Sequence, residues 1–111
     1  MYIREVTVQL KPNSQAKFTQ TIEKEVIPML RREKGFLDEF TFVSSFGNKA
    51  VGISFWDKKA DAEAYNTKTY QQVLKSLSTV IEGIPQVQTG EVSNSTWHEI
   101  TAQTPAMAVK A

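Results

Sequence analysis

The single histidine of the sequence, His98, is the residue best suited to acid–base chemistry, because its unperturbed pKa lies near neutrality. At a strand end it could act as a general base and take a proton from a substrate. A partly exposed surface histidine is the alternative and the commoner fate of a lone histidine. His98 is therefore a candidate catalytic base, and Tyr65 is a second candidate catalytic residue.

Four further side chains could bind a flat organic molecule: Trp56, Asn66, Tyr70 and Trp97. The two indole rings could stack on such a molecule, and Tyr65 could hydrogen-bond to it from the second helix. Packing in the core or in an interface is the commoner role of these rings, and it is the preferred interpretation for Trp56 and Tyr65. We expect any binding pocket to lie between the helices and the sheet.

The residue types of the sequence give little support for a metal site or a phosphate-binding site. The chain has no cysteine, which excludes thiolate ligands and thiolate nucleophiles. His98 and Glu99 are neighbours in a predicted strand, as are Asp38 and Glu39, so each pair points to opposite faces of the sheet and cannot readily share one ion. The sequence has no glycine-rich phosphate loop. We therefore expect neither a metal nor another cofactor, with a metal site shared between the two chains of a dimer as the alternative.

The charge balance argues against nucleic acid and membrane partners. Thirteen basic and twelve acidic residues leave a formal net charge of +1, without the excess of basic residues that binding to phosphate backbones requires. Residues 49–55 faintly resemble an RNA-binding strand, but Val51 and Ile53 stand where flat rings would stack on bases. The first residues carry charges and no long apolar run, so we expect a cytoplasmic protein without a secretory or membrane-spanning segment.

The first half of the sequence predicts a strand, a helix and a hairpin. Apolar and polar residues alternate over 2–10, which is the period of a strand. Apolar residues then recur at helical spacing over 14–33. Pro28 predicts either a kink one turn before it or an irregular last turn of this helix. Two apolar runs, 36–43 and 50–56, flank a turn signal and predict a hairpin.

The second half predicts an interrupted helix. Asp57 is a suitable N-cap for its first segment. A weakly helical stretch at 66–69 predicts a break, after which a strongly amphipathic segment continues until Gly83 and Pro85 end it.

A last strand is expected over 87–100, with a bulge near Gly90. The order strand, helix, strand, strand, helix, strand predicts an antiparallel four-stranded sheet with both helices on one face. This is a ferredoxin-like α+β sandwich. We expect one domain over 1–100 and a loosely held tail over 101–111.

One face of such a sheet has no helix to cover it, although apolar residues are predicted on both faces. Alternation places Phe36, Phe40 and Phe42 opposite Leu37 and Val43 in strand two, Trp56 opposite Val51, Ile53 and Phe55 in strand three, and Trp97 opposite Ile100 in strand four. An exposed apolar face predicts a contact surface, and a symmetric homodimer that packs two open faces together would bury it. Scattered, half-exposed rings on a monomer are the alternative.

Taken together, residues 2–100 resemble the antibiotic biosynthesis monooxygenase domain family. The resemblance rests on the order and spacing of three segments: Lys11-Pro12 through Phe18, Glu25, Pro28 and Leu30 to Lys34-Gly35-Phe36; Ser54-Phe55-Trp56-Asp57 leading into Ala60 and Ala62-Glu63-Ala64-Tyr65; and Val92 through Asn94-Ser95-Thr96-Trp97-His98. The resemblance implies a dimeric α/β barrel made of two ferredoxin-like halves. Members oxidise aromatic polyketides without metal or flavin, degrade haem, or isomerise or bind small molecules, and the fold alone does not select among these activities.

This chain departs from the pattern of the haem-degrading members. They carry an Asn in the first strand, a Trp in the second helix region and a His further along that region. Here 2–10 has no Asn, Tyr65 stands near the expected Trp, and 66–81 has no His. The polyketide-oxidising members use Asn, Trp, Tyr and Arg side chains, for which this sequence offers Tyr65, Asn66, Trp56 and Arg4 as loose counterparts.

Three functions remain open on these grounds. The first is a cofactor-independent monooxygenase-like enzyme that acts on a small aromatic or enolisable molecule. The second is a non-catalytic dimeric domain of the same fold that binds small molecules or responds to stress, and the third is a structural dimer without a ligand. A cavity of roughly 300 Å³ or more with converging polar groups favours the first two, and a solidly packed helix–sheet seam favours the third.

Overall fold

The computed structural model describes residues 1–97 of the 111. The strands are β1 (Tyr2–Leu10), β2 (Phe36–Val43), β3 (Lys49–Trp56) and β4 (Ile81–Glu91); the helices are α1 (Gln15–Thr21), a π-helical segment (Ile22–Val26), α2 (Ile27–Arg31), α3 (Lys59–Lys68) and α4 (Tyr70–Leu77). No helix among the described residues is long and apolar enough to cross a membrane.

The sheet has four strands in the order β2-β3-β1-β4, and every neighbouring pair is antiparallel. All the helices pack on one face, where the buried residues of β1 and β3 form the core with the helices; these include Val8, Ala50 and Trp56. The predicted ferredoxin-like α+β fold is therefore confirmed.

The first helix is interrupted where its proline requires it. Pro28 has no N–H to donate to the carbonyl one turn earlier. The chain adopts π-helical geometry over Ile22–Val26 and returns to α-helix at Ile27–Arg31. An irregularity near Pro28 was expected, and the structure shows it as this π-helical segment before the proline.

The second helical region is broken at Thr69, as the sequence predicted, and α3 and α4 meet there. The Thr69 hydroxyl donates a hydrogen bond of 3.0 Å to the Glu33 carboxylate and so attaches the break to the end of the first helix. Two boundaries were predicted wrongly. The residue before α3 is Lys58 rather than Asp57, and α4 ends at Leu77, well before Gly83.

The last strand is shorter and begins earlier than predicted. It covers Ile81–Glu91 rather than 87–100, because Gly83 and Pro85 belong to the strand instead of ending the helix. Pro85 is tolerated because β4 is an edge strand. The missing N–H of a proline can lie on the unpaired side of such a strand, so no hydrogen bond of the sheet is lost. The β1–β4 register shifts between Thr7 and Gln9 and is regular up to Gly90, so the bulge expected at Gly90 is wrong.

A bulge at the start of β2 also changes which residues share a face. The β2–β3 register shifts between Phe36 and Asp38. Phe36 therefore packs on the helix side against Trp56, with ring centroids 5.6 Å apart, and not beside Phe40 and Phe42 as alternation predicted. Trp97, predicted in the last strand, follows its end; Ile100 lies outside the described residues.

Gly35 occupies the tight connection between α2 and β2 with a φ of +79°. An added Cβ would lie 2.1 Å from Oδ2 and 2.6 Å from Cβ of the buried Asp61. We expect Gly35→Ala to lower the free energy of unfolding by about 2 kcal/mol in urea titrations, because both the backbone and Asp61 must shift. Gly90→Ala is the control, since no atom lies within 4 Å of its added Cβ. Equal losses in the two variants would contradict this explanation.

Candidate active site

A cavity of about 70 Å³ lies between the helices and the sheet. Its floor is the helix-side face of β1, β2 and β3, and its roof is formed by the first helical region and by α3 and α4. Most of the lining is aliphatic, including Val26, Leu30 and Leu77. Six polar side chains interrupt this apolar lining: Arg4, Glu39, Thr41, Ser54, Tyr65 and Tyr70.

Strand register places the charged members of this set in one row across the floor. Arg4 of β1 is paired with Ser54 of β3, and Ser54 is paired with Glu39 of β2. Residues directly opposite each other in neighbouring strands point to the same face. Arg4 and Glu39 therefore stand at opposite ends of the cavity floor, with Ser54 between them.

Arg4 forms the cationic end of the cavity and is only 3% exposed. Its Nη2 donates a hydrogen bond of 2.9 Å to the Asn66 side-chain oxygen. Its Cζ lies 4.4 Å from the ring centroid of Tyr70 and 5.2 Å from that of Tyr65. These are cation–π contacts, which partly compensate the guanidinium for the loss of water.

The two tyrosines beside Arg4 keep their protons at neutral pH. Burial raises the pKa of both phenols, and the positive charge of Arg4 opposes the shift without cancelling it. The Tyr70 hydroxyl is buried and donates a hydrogen bond to no acceptor among the described residues, although a contact with the Arg4 guanidinium also opposes the rise of its pKa. Because a buried hydroxyl without a partner is unfavourable, Tyr70 provides a donor for a ligand in the cavity.

Glu39 forms the carboxyl end of the cavity. Burial raises its pKa above the ordinary value of 4.5; the hydrogen bond from the Thr41 hydroxyl opposes this, while the nearby charges of Asp38 and Glu23 add to it. A carboxylate with a raised pKa is a better proton acceptor than an ordinary one. Glu39 therefore has the properties of a general base.

Two clefts adjoin the cavity. One, of about 170 Å³, shares Phe18, Ile22, Glu39 and Thr41 with it and lies between the first helical region and the edge strand β2. The other, of about 220 Å³, shares Arg4 with it and lies between α3 and β4. Each charged end of the cavity floor therefore also lines a cleft outside the cavity.

Among the residues singled out from the sequence, Tyr65 and Tyr70 line the cavity. Trp56 is 0% exposed and belongs to the core: its Nε1 donates a 2.9 Å hydrogen bond to Ser54, and its ring centroid lies 5.0 Å from that of Tyr65. It contacts two residues of the cavity lining without lining the cavity itself, in agreement with its preferred interpretation as a packing residue. Asn66 lines the cleft of α3 and β4 and orients Arg4.

Trp97 does not join this group, although the expected pocket included it. Its ring lies on the open face of the sheet, with centroids 5.2 Å from Phe55 and 6.2 Å from Phe40. His98 lies outside the described residues. Within the part of the chain that the structure describes, no group of three or more His, Cys, Asp or Glu residues is placed to hold a metal ion.

Glu39 was not predicted as a site residue. The sequence had suggested it only as half of an acidic pair with Asp38. Alternation separates it from Asp38, and Asp38 is indeed exposed. Its position on the same face as Thr41 and Val43 was readable, but nothing in the sequence showed that this is the face the helices cover. Arg4 had appeared only as a loose counterpart of family residues.

No protein-family model and no curated protein matches the sequence, but solved structures resemble the fold. A monooxygenase from the gene ActVA-Orf6 of Streptomyces coelicolor, in complex with nanaomycin D, has a TM-score of 0.73 and 18% identity over 86% of this chain and 90% of that chain. A Deinococcus radiodurans protein, provisionally named an antibiotic biosynthesis monooxygenase, has a TM-score of 0.70 and 14% identity, covering 86% and 95% of the two chains.

Rv0793 from Mycobacterium tuberculosis has a TM-score of 0.68 and 10% identity, and the match covers 86% of this chain and 98% of that chain. At such identities the likeness concerns the fold and not the chemistry. The chain adopts the fold of the antibiotic biosynthesis monooxygenases, as the resemblance in its sequence predicted.

Proposed function

We propose that this protein is a cofactor-independent monooxygenase-like enzyme that oxidises a small phenolic or otherwise enolisable aromatic molecule in the cavity between helices and sheet. The observation that carries the proposal is the polar row of the cavity floor, with a buried cation at Arg4 and a carboxyl of raised pKa at Glu39. A proton acceptor and an anion-stabilising group thus face one apolar space. The fold relationship to monooxygenases supports the same reaction class.

The reaction begins with proton removal. The Glu39 carboxylate accepts the proton of a phenol or enol, and the negative charge that develops on the substrate is delocalised onto a ring carbon. Arg4 and the Tyr70 hydroxyl stabilise negative charge on substrate oxygens, in a cavity whose lining is mostly aliphatic.

The electron-rich carbon then reacts with molecular oxygen, which is the oxidant. A C–O bond forms to give a hydroperoxide, and the proton on Glu39 returns during its breakdown. Loss of water breaks the O–O bond, so that a phenol and O₂ yield a quinone and H₂O. One oxygen atom enters the product and the other leaves as water.

The volume of the cavity limits the substrate. Pockets for small organic ligands usually have roughly 300 Å³ or more, whereas this cavity has about 70 Å³. The cavity by itself is therefore smaller than the size set above for a ligand-binding function, and a ring bound there must extend past Glu39 into the adjoining cleft of about 170 Å³. The π-helical segment Ile22–Val26 lies over that junction and contributes Ile22 and Glu23 to the cleft. We infer a substrate of one or two fused rings.

We also propose that the enzyme acts as a cytoplasmic homodimer whose two sheets pack through their open faces. The apolar surface there consists of Phe40, Phe42, Phe55 and Trp97, and Phe40 and Phe42 are exposed. The helix-side cavity is complete within one chain, so the dimer would support the sheet rather than complete the active site. His98 stays a second candidate base, because the described residues end before it.

Oxygen consumption with 1-naphthol and 1,5-dihydroxynaphthalene tests the proposal. We expect one O₂ consumed for each quinone formed, with activity unchanged by EDTA and without added flavin. The kcat/KM should fall as the pH drops through the raised pKa of Glu39, because only the carboxylate accepts the proton.

The stability of the fold should respond in the opposite direction. A raised folded-state pKa means that the folded chain binds this proton more tightly than the unfolded chain, so the Glu39 contribution favours the fold below that pKa and is lost above it.

Naphthols that raise the melting temperature without any oxygen uptake would instead identify a non-catalytic binding protein.

A further inference from the structure

Arg4 is a buried cation, and among residues 1–97 no acidic side chain lies within ion-pair distance of its guanidinium. Within residues 1–97 the ion pair that is present joins the N-terminal amino group to Glu91, at 3.8 Å, and does not involve Arg4. Asn66, which accepts the hydrogen bond from Arg4, is a neutral amide. A buried charge without a counter-charge is strongly unfavourable, so this arrangement favours an anion at the guanidinium.

The space around Arg4 can receive such an anion. The guanidinium lines both the inner cavity and the cleft between α3 and β4. It has five N–H donors in a fixed fork, of which one is used by Asn66. The unpartnered Tyr70 hydroxyl, in the same cavity, offers one more donor. The remaining guanidinium N–H groups and the Tyr70 hydroxyl therefore face the same space and can donate to a ligand there.

We propose that the substrate is an aromatic acid, whose carboxylate binds the Arg4 guanidinium and the Tyr70 hydroxyl while its phenolic hydroxyl lies at Glu39. This inference rests on the proposed function, because it takes the same cavity as the substrate site. A carboxylate matches the planar fork of arginine through two parallel hydrogen bonds, which a neutral carbonyl cannot form.

The distance between the two ends of the site sets the length of the molecule. Arg4 and Glu39 lie two strands apart in the row through Ser54, which corresponds to roughly 10 Å because neighbouring strands are about 4.8 Å apart. The carboxylate and the hydroxyl should therefore stand at opposite ends of one ring or of two fused rings. Molecules with both groups on adjacent carbons should bind less tightly.

The test compares 4-hydroxybenzoate and 6-hydroxy-2-naphthoate with their methyl esters by calorimetry. Each ester keeps the ring and the hydroxyl but loses the charge. We expect at least one acid to bind about tenfold more tightly than its ester, the difference typical of hydrogen bonds to a charged group. Acids that bind no better than their esters would overturn the inference.

Arg4→Gln should abolish the preference for the acid, whereas Arg31→Gln, the same change at an exposed helix end, should leave it intact. Because Arg4 is buried, its replacement can also impair folding, so Tyr70→Phe provides a second measurement. This variant removes only the unpartnered hydroxyl and should reduce acid binding several-fold with an unchanged melting temperature. An acid preference that survives both Arg4→Gln and Tyr70→Phe would place the anion elsewhere and refute the assignment.

Oxygen uptake by the same compounds separates this inference from the proposed function. If the esters are oxidised as efficiently as the acids, the oxygenase proposal stands and the aromatic-acid inference is wrong. If the acids bind through Arg4 and neither acid nor ester consumes oxygen, the anion site stands and the oxygenase proposal is wrong.

Discussion

Glu39→Gln should lower kcat for naphthol oxidation by about 100-fold or more, which is the usual contribution of a positioned general base. Glutamine has nearly the same shape and can still accept the hydrogen bond that Thr41 donates to Glu39. It cannot take a proton from the substrate. We therefore expect the dissociation constant of the substrate to change little while turnover is nearly lost, as stopped-flow binding and oxygen-electrode measurements can show.

Asp38→Asn is the matched control, because Asp38 is the adjacent acidic residue in β2 but is exposed. Its charge contributes to the raised pKa of Glu39. We expect Asp38→Asn to keep kcat and to shift the acidic limb of the pH profile slightly to lower pH. A similar loss of turnover in both variants would mean that negative charge near β2, and not proton transfer at Glu39, supports activity.

His98→Ala decides between the two candidate bases. If Glu39 is the base, His98→Ala retains the activity that Glu39→Gln loses. A tenfold or greater loss in His98→Ala, combined with a near-normal Glu39→Gln, would move the base to His98, within the usual range for acid–base residues. The two carboxyl variants and the histidine variant thus give different patterns for each mechanism.

Much of the fold could be predicted because local periodicity and local stereochemistry agree with it. The alternation of apolar and polar residues in β1 predicted a strand correctly, because one face of β1 is buried and the other is open. Pro28 predicted the interruption of the first helix, because a missing N–H acts within one turn whatever the tertiary structure. Both features depend on neighbours a few residues away.

The errors arose where distant pairing overrides local preference. Gly83 and Pro85 are ordinary helix-ending residues, yet they lie in β4 because its pairing with β1 begins at Ile81. The register shift between Phe36 and Asp38 depends on how β2 meets β3, and it moves Phe36 to the helix side. Neither register can be read from one strand alone.

The candidate site was only half predictable for a related reason. Tyr65 and Tyr70 were found because aromatic residues on a helix stripe point toward the sheet. Arg4 and Glu39 could not be recognised, since charged residues in strands usually face solvent and their burial is decided by which face the helices cover. Their common row emerges only from the pairing of three strands.

The second large effect concerns the open face of the sheet. Four strands about 4.8 Å apart and eight residues long cover roughly 500 Å² per protomer, or about 1,000 Å² for a pair, which is enough for a specific interface. The face presents the exposed Phe42 beside Val51 and Ile53 of β3. Trp97 covers only the part around Phe40 and Phe55.

Phe42→Glu should therefore convert a dimer into a monomer. In a symmetric dimer the substitution occurs twice, and each lost phenylalanine removes about 1.5–3 kcal/mol of burial before the added charge is counted. The dissociation constant should rise at least about 100-fold, which light scattering detects as a fall to the chain mass of 12.5 kDa. The monomer should stay folded and keep binding naphthols, because the core and the cavity lie on the other side of the sheet.

Phe46→Glu is the control for this experiment, since Phe46 is 91% exposed in the turn between β2 and β3. It introduces the same charge near the same strands without altering the face of the sheet, so this variant should remain dimeric. A wild-type chain that is monomeric at micromolar concentration excludes the open-face dimer, as does a dimer that Phe46→Glu disrupts and Phe42→Glu does not. If Phe46→Glu disrupts the dimer and Phe42→Glu does not, the turn between β2 and β3, rather than the sheet, forms the contact. The aromatic residues of the open face would then be covered by Trp97 and not by a second chain.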